Sequence, residues 1–313
     1  MFLGVDVGGT NLKAGLVDAE GRILAARKRP LGVFRGPEAF AAELADLARE
    51  AAEAGGADPA ALEYVGIGIP GAVAGGQVLY TCNIPMKDVP LERYFRRRLD
   101  VPVLLGNDAD CAAVGEYLCG AGRGTRNFAV VTLGTGVGGG FILNGKLYSG
   151  SGMAGEVGHM VICRDGAPCG CGRRGCWEAY SSATGLIRLT REAMAAHPDS
   201  LLHALAAENG GVEGRTAFQA AQAGDPAAVE LCRTYVGYLA AGVTNLVNIL
   251  QPEALALGGG VADAPPALLL DPLREIVERE CYPRHAGRAP RVVKAELGND
   301  AGIIGAALLR RAI

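Results

Sequence analysis

The chain has 313 residues, half of them hydrophobic, and this length predicts about two domains of ordinary size. Thirty basic and 33 acidic residues leave a net charge of −3, which argues against a generic nucleic-acid surface or an anchor on acidic membranes but allows a local basic pocket for phosphate. No run of about 18 apolar residues occurs, and the opening MFLGVDVGGTN has neither the basic region nor the apolar core of a signal peptide. We therefore expect a cytosolic chain without a transmembrane helix.

The first third of the chain predicts a small α/β arrangement. Short connections join three β-forming segments into an antiparallel meander: Phe2–Val7, Leu12–Val17 and Ile23–Lys28. The elements predicted next are a helix over Pro37–Ala54, a strand over Tyr64–Ile69, a helix over Leu91–Leu99, a strand over Val101–Leu105 and a helix over Ala109–Cys119.

The pattern then restarts, about 125 residues further along. Val5 to Thr10 corresponds to Val131 to Gly136, because in both an apolar strand enters a Gly/Thr turn and a second apolar strand follows. This repeat predicts two similar α/β halves facing each other across a cleft, with a boundary near residue 110. The later elements predicted are helices over Thr184–Ala195, Pro226–Leu250 and Asp300–Arg311, and strands over Ala254–Leu257 and Val292–Glu296.

Three glycine-rich turns predict contacts with a nucleotide. In the first, Gly8, Gly9 and Thr10 offer backbone amides to a phosphate, Lys13 adds a positive charge, and Asp6 is suited to Mg²⁺. The second turn, Gly134-Thr135-Gly136, repeats this chemistry, so the two turns predict a clamp on a triphosphate. The third, Gly258-Gly259-Gly260, predicts a floor for adenine and ribose. Tight hairpins, or a strand-to-helix turn at the third, are the alternative interpretations.

Four residues have the composition and spacing of a zinc site. His159 is followed by Cys169, Cys171 and Cys176 in the run CGCGRRGC. A Cys₃His set is a closed tetrahedral zinc site, and glycines between the cysteines allow tight loops around the metal. No position is left open for substrate, so we predict a structural Zn²⁺ that brings Glu156 and Glu178 together.

A polar segment, Gly106-Asn107-Asp108-Ala109-Asp110, follows a predicted strand and begins a predicted helix. Ligands of open α/β sheets lie beyond the carboxyl ends of the strands. Asn107, Asp108 and Asp110 compete for the single helix N-cap, and a carboxylate that is not the cap could accept a proton from a substrate hydroxyl. Asn83, in a loop before Pro85, has no interpretation of its own.

Taken together, these motifs resemble the ROK family of sugar kinases, and within it the bacterial glucokinases. The matching segments are DVGGTNLKAGLVD, GIPG, LGNDADCAAVGE, TLGTGVGGGFILNGKLYSG, GEVGH and CGCGRRGCWE, in the order of the family, over essentially the whole chain. The resemblance implies an α/β chain with a duplicated actin-like (ribonuclease-H-like) ATPase fold, two lobes around a central cleft. We expect residues 1–110 plus 299–313 to form the smaller lobe, and 111–298 the larger lobe with the zinc-pinned loop.

The resemblance also implies roles for individual residues. Asp108 is expected to be the general base on the sugar. The hexose-binding set is expected to be Asn83, Asn107, Asp108, Glu156, His159 and Glu178. ATP and Mg²⁺ are expected at Asp6, Gly8, Gly9, Thr10, Lys13, Gly134, Thr135, Gly136, Gly258, Gly259 and Gly260.

The predicted activity is transfer of phosphate from ATP to the 6-hydroxyl of glucose. N-acetylmannosamine, N-acetylglucosamine and fructose kinases share the motifs and stay open as alternatives, as does polyphosphate as donor. A sugar-binding regulator is the non-enzymatic alternative; regulators of the family carry a DNA-binding domain before the first hairpin, and here that hairpin starts at residue 2. The resemblance implies a homodimer.

Overall fold

The computed structural model describes residues 1–81 and 84–313. The strands are β1 (Phe2–Val7), β2 (Asn11–Val17), β3 (Ile23–Pro30), β4 (Val65–Ile69), β5 (Ala72–Ala74), β6 (Gln77–Tyr80), β7 (Lys87–Val89), β8 (Val103–Asn107), β9 (Phe128–Leu133), β10 (Val137–Leu143), β11 (Lys146–Leu147), β12 (Ala254–Gly258) and β13 (Arg291–Lys294). The α-helices are α1 (Pro37–Ala54), α2 (Leu91–Arg96), α3 (Asp108–Cys119), α4 (Glu178–Ser181), α5 (Ala183–Ala196), α6 (Leu201–Glu208), α7 (Thr216–Gln222), α8 (Pro226–Leu250), α9 (Leu270–Glu280) and α10 (Ala301–Ala307). Among the described residues, none of these helices combines the length and the apolar character needed to cross a membrane.

The chain folds into two compact units. Unit 1 comprises Met1–Val130, Gly140–Gly155 and Glu296–Ile313, and unit 2 comprises Val131–Gly139 and Glu156–Ala295. Helix α3 belongs to unit 1, whereas the predicted lobe boundary lies near its first residue. The reason is that α3 packs against α10, which the chain reaches only after unit 2 is complete. The division into functional lobes stays a prediction.

Unit 1 is built on a five-stranded sheet in the order β3-β2-β1-β4-β8. The three N-terminal strands form the predicted antiparallel meander, and β4 and β8 extend it with parallel pairs. Helix α1 has the predicted bounds, since a proline starts its first turn and Gly55 follows its last residue. Its buried face includes Phe40, Leu44 and Leu47, which join the apolar core formed with the sheet.

A second five-stranded sheet has the order β11-β10-β9-β12-β13. Position by position this matches the first sheet: an antiparallel pair at one edge, β10 with β11, and a parallel pair at the other, β12 with β13. The chain passes between the units within β9 and β10. The equal strand order confirms the duplication that the repeated hairpin predicted.

Close contacts between helices hold α3 to α10 in unit 1. A Cβ added at Gly305 would lie 1.6 Å from the carbonyl oxygen of Cys111, and one at Gly115 would lie 2.5 Å from that of Ala301. Only glycine permits these approaches, so the two helix backbones touch directly. The helix predicted over 300–311 is shorter than expected, because α10 ends at Ala307 and a 3₁₀ turn follows over Leu309–Arg311.

Candidate active site

Asp108 is the first residue of α3 and directly follows the parallel strand β8. Asn107 is the N-cap: its Oδ1 accepts from the amides of Ala109 at 2.8 Å and Asp110 at 3.3 Å, and its Nδ2 donates to the carbonyl of Gly71 at 3.0 Å. Asp108 is half-buried, and its Oδ1 also accepts from the Ala109 amide, at 2.9 Å. Asn107 is therefore the residue that caps α3, and Asp108 is not required for that role.

The first glycine-rich turn, residues 8–10, joins β1 to β2. The Gly8 amide donates to the carbonyl of Asn11 at 2.9 Å, which closes the turn. Asp6 and Lys13 are direct partners in the strand pair, with Lys13 Nζ 3.9 Å from Asp6 Oδ2. Burial raises the pKa of Asp6, and the charge of Lys13 lowers it in part. Asp6 is half-buried, and its carboxylate oxygens are of the ligand type that Mg²⁺ prefers.

A cavity of about 480 Å³, the unit 1 cavity, opens beside this turn. Its lining is formed by Asp6, Gly8, Thr10, Asn11, Lys13, Ala26, Arg27, Lys28, Asn299, Asp300 and Ile303. Lys28 is the direct cross-strand partner of Lys13, so two ammonium groups face the same space. The sequence interpretation missed Arg27 and Lys28, although the alternation along a strand next to β2 could have indicated Lys28, which pairs with Lys13.

The end of the chain also contributes to this cavity. The last helix is predicted to start at Asp300, but α10 starts at Ala301, and Asp300 makes no side-chain cap there. Residues 298–300 instead form a 3₁₀ turn, and the carbonyl of Asn299 accepts from Lys13 Nζ at 2.9 Å.

The second turn, residues 134–136, lies in unit 2 between β9 and β10. Its carbonyl groups accept from the start of α5: Ala183 N donates to Gly134 at 2.8 Å, and Thr184 Oγ1 donates to Thr135 at 2.9 Å. The Val137 amide donates to Glu178 Oε2 at 3.0 Å, and a Cβ at Gly136 would lie 2.3 Å from that oxygen. Glu178 therefore occupies space that only a glycine at 136 leaves open.

A second cavity, the unit 2 cavity, has a volume of about 530 Å³. Its lining is formed by Leu133, Gly134, Thr135, Ala183, Gly214, Arg215, Phe218, Gln219, Gln222, Gly260, Val261, Asp263, Ala264 and Pro265. The second and third predicted glycine turns thus meet here through Gly134, Thr135 and Gly260. Gly259 has a φ of +82° and packs against Leu133, so it shapes the turn. The sequence analysis did not predict the lining residues from α7, which are Phe218, Gln219 and Gln222, because they belong to no recognisable motif.

The predicted zinc ligands converge in unit 2. One ligand atom from each of His159, Cys169, Cys171 and Cys176 lies within 4.8 Å of all the others. Cys171 Sγ is 3.7 Å from Cys176 Sγ, and Cys169 Sγ is 3.7 Å from His159 Nδ1. Bonds of about 2.3 Å to sulfur and about 2.0 Å to nitrogen in a tetrahedron put such atoms about 3.6–3.8 Å apart. The Cys₃His set therefore has the chemistry that Zn²⁺ requires, and these two pairs have the spacing of a tetrahedral site.

The predicted sugar residues are distributed over both units. Asn107 and Asp108 belong to unit 1, and Glu156, His159 and Glu178 belong to unit 2. Within unit 2, Glu178 Oε1 lies 3.7 Å from Cys169 Sγ, so this carboxylate is next to the cysteine cluster. Glu156 is exposed and begins the short 3₁₀ turn that carries His159. Asn83 lies outside the described residues.

Comparison with known proteins places the chain in a family. A model of the ROK family matches residues 2–313. A glucokinase of Streptomyces coelicolor is 40% identical, covering 99% of this chain and 98% of its own, and one of Thermotoga maritima is 38% identical, covering 98% and 96%. The solved ROK family glucokinase of Streptomyces griseus, in complex with glucose and AMPPNP, has a TM-score of 0.83 at 38% identity and covers 98% of both chains. With the actin-like ATPase fold of those kinases, this chain belongs to the ROK family.

Proposed function

We infer that this protein is a glucokinase, which transfers the γ-phosphoryl group of ATP to the 6-hydroxyl of glucose. The observation that carries this conclusion is similarity over nearly the full length to glucokinases, one of them solved with glucose and an ATP analogue. Kinases for N-acetyl sugars or fructose, and a sugar-binding regulator, are not favoured.

Asp108 is the general base in this proposal. It accepts the proton of the sugar hydroxyl as the oxygen attacks phosphorus. Its support is its place at the start of α3, beyond the carboxyl end of β8, where Asn107 has taken over the cap. In the Asn107 side chain, Oδ1 already accepts hydrogen bonds and one Nδ2 hydrogen is already donated to Gly71. A contact with glucose would therefore use the second Nδ2 hydrogen.

The remaining sugar contacts are assigned to Asn83, Glu156, His159 and Glu178. His159 has Nδ1 on the side of the cysteine cluster, which leaves Nε2 for a sugar hydroxyl. Glu178 accepts from Val137 through Oε2 and keeps further lone pairs for hydroxyl groups. When bound, Zn²⁺ supplies a structural tie that fixes the imidazole tautomer and the loop between Glu156 and Glu178.

We assign the nucleotide contacts to the three glycine-rich turns, with Asp6 and Lys13 beside the first of them. In turns 8–10 and 134–136, the amides that do not close the turn bind phosphate oxygens, and Lys13 supplies positive charge. The unit 2 cavity takes the adenosine, with Gly260 as part of its wall and Gly258 and Gly259 as its supporting turn. Asp6 is the residue that would hold Mg²⁺, which neutralises phosphate charge when bound. A homodimer in the reducing cytosol completes the proposal; the free thiols of the described cysteines agree with that compartment.

The experiment that tests this proposal measures ADP release by the purified protein with Mg-ATP. The acceptors compared are glucose, mannose, fructose, N-acetylglucosamine and N-acetylmannosamine. Fastest turnover on glucose is the expected result. A preference for an N-acetyl sugar would change the substrate but keep the mechanism. Sugar binding without turnover on any acceptor would contradict the kinase and favour the regulator.

A further inference from the structure

Glu116 is a carboxylate that no part of the proposed chemistry uses. It lies near the end of α3, and its exposed fraction is 0%. Three backbone amides donate to it: Ala121 N at 2.9 Å and Glu296 N at 3.0 Å to Oε2, and Leu297 N at 2.7 Å to Oε1. Burying a carboxylate is costly unless its oxygens are hydrogen-bonded. These amides, two of them 180 and 181 residues away in the sequence, offset that cost.

The segment held by Glu116 leads directly to the unit 1 cavity. Leu297 precedes the 3₁₀ turn of residues 298–300, and the Asp300 amide donates back to the Leu297 carbonyl at 3.1 Å. Within that turn, the Asn299 carbonyl accepts from Lys13 Nζ at 2.9 Å. One unbroken series of contacts therefore connects Glu116 to the lysine beside turn 8–10.

Neighbouring contacts support this connection. On the surface, Arg123 pairs with Glu296 at 3.3 Å, so the same two segments are joined a second time. On the other side, the glycine contacts between α3 and α10 hold the residues that follow Asp300. A Cβ at Gly120 would lie 2.2 Å from Glu116 Oε2, which shows how closely the carboxylate is enclosed. Residues 296–300 consequently have little freedom while Glu116 keeps its three donors.

We propose that Glu116 is a positioning residue for phosphate binding: it fixes residues 296–300 so that the Asn299 carbonyl aims the Lys13 ammonium at the nucleotide. The proposal rests on the proposed function. Glu116 itself touches no substrate. Glutamine at this position replaces one oxygen by an amide group that cannot accept a hydrogen bond, so at least one buried donor loses its partner and residues 296–300 loosen.

The test is a double-mutant cycle on nucleotide affinity, with Glu116→Gln, Lys13→Met and the double variant in the full chain. The measurement is the Kd of AMPPNP with Mg²⁺, by calorimetry without sugar, and the Kd of glucose separately. Glu116→Gln should weaken AMPPNP about tenfold, which is about 1.4 kcal/mol, and leave the glucose Kd within about twofold. In the Lys13→Met background, Glu116→Gln should cost no more than about a further twofold, because the two residues act as a unit.

Asp18→Asn is the matched control. Its carboxylate also accepts from two backbone amides in unit 1, of Glu20 at 3.0 Å and Arg22 at 2.8 Å, but it lies at the far end of β2 from Lys13. This variant should leave the AMPPNP Kd unchanged. If Glu116→Gln does not fold, Glu116→Asp, which keeps the charge on a shorter side chain, enters the same cycle.

Two results would overturn the proposal. One is a Glu116 variant that binds AMPPNP as tightly as the parent protein even though it is less stable. The other is additivity of the Glu116 and Lys13 effects. These two results differ from a failure of the proposed function. That failure would appear as no turnover of glucose by the unmodified protein. If the unmodified protein does not bind AMPPNP, the proposed function and the proposed role of Glu116 are overturned together.

Discussion

Asp108 is not needed as the N-cap of α3, because the neighbouring Asn107 fills that position. The preceding Asn107 closes the first turn of α3 and is also tied to Gly71, so the end of β8 has a defined backbone path. Asp108→Asn keeps the shape of the side chain but removes its basicity. We expect kcat to fall by about 10²–10⁴ while the glucose Kd stays nearly the same. Steady-state kinetics together with calorimetry on glucose measures both, and a near-normal kcat would remove Asp108 from the role of base.

Gly242 has no side chain, and this leaves space for the ring of Trp177. It lies in α8 beneath the indole of Trp177, which is 0% exposed and donates through Nε1 to the carbonyl of Tyr238 at 3.0 Å. A Cβ at residue 242 would lie 2.0 Å from the indole ring. Gly242→Ala should therefore lower the free energy of unfolding by about 1–3 kcal/mol. Chemical denaturation monitored by Trp177 fluorescence gives the value.

The same helix supplies the control for this prediction. Gly237 is exposed, and a Cβ there would have no neighbour within 4 Å. Gly237→Ala should raise stability by about 0.5–1 kcal/mol through helix propensity alone. Equal effects of the two substitutions would mean that the packing of Gly242 against Trp177 does not determine stability.

At the scale of elements, the loop between His159 and Cys176, which the structure describes in full, carries isolated β-bridges and no helix or longer strand. One of these bridges joins Val161 to Cys176, and the four predicted zinc ligands converge there. Cys171→Ser should lower zinc affinity by at least about 10–100-fold. Because the loop joins Glu156 to Glu178, we also expect glucose affinity to fall. Zinc content by elemental analysis and the glucose Kd by calorimetry measure the two effects.

Cys163→Ser serves as the matched control, because this cysteine lies in the same loop but outside the ligand group. It should retain zinc and bind glucose normally. A verified zinc-free protein that keeps full glucose affinity would show that the metal does not order the sugar site.

Helices with clear end signals had the bounds that the sequence predicted. Pro37–Ala54 and Pro226–Leu250 both start at a proline, and Asp225 caps the second by accepting from Ala228 N at 2.8 Å. The elements missed are the small sheet β5-β6-β7 and the helices α4, α6, α7 and α9. The strands of that sheet have three or four residues each, too few for an alternating pattern to stand out.

For the molecule as a whole, the repeated hairpin was the informative signal, and the matching order of the two sheets follows from it. Assembly is a further expectation, drawn from the family resemblance. We predict a homodimer, so light scattering across a concentration series should give twice the chain mass of 32.2 kDa. A mass of one chain at every concentration would contradict it.

The sequence by itself determined the features whose hydrogen bonds or ligands are close along the chain. The glycine turns, the Cys₃His set and the strand-turn-strand repeat are of this kind, because a few neighbouring residues fix their backbone geometry. The tertiary structure alone decided which distant groups meet. The bond from Lys13 to Asn299 spans 286 positions, and Glu116 receives donors from residues 296 and 297. Such contacts depend on how α3, α10 and the sheet pack, and no local pattern of residue types encodes that packing.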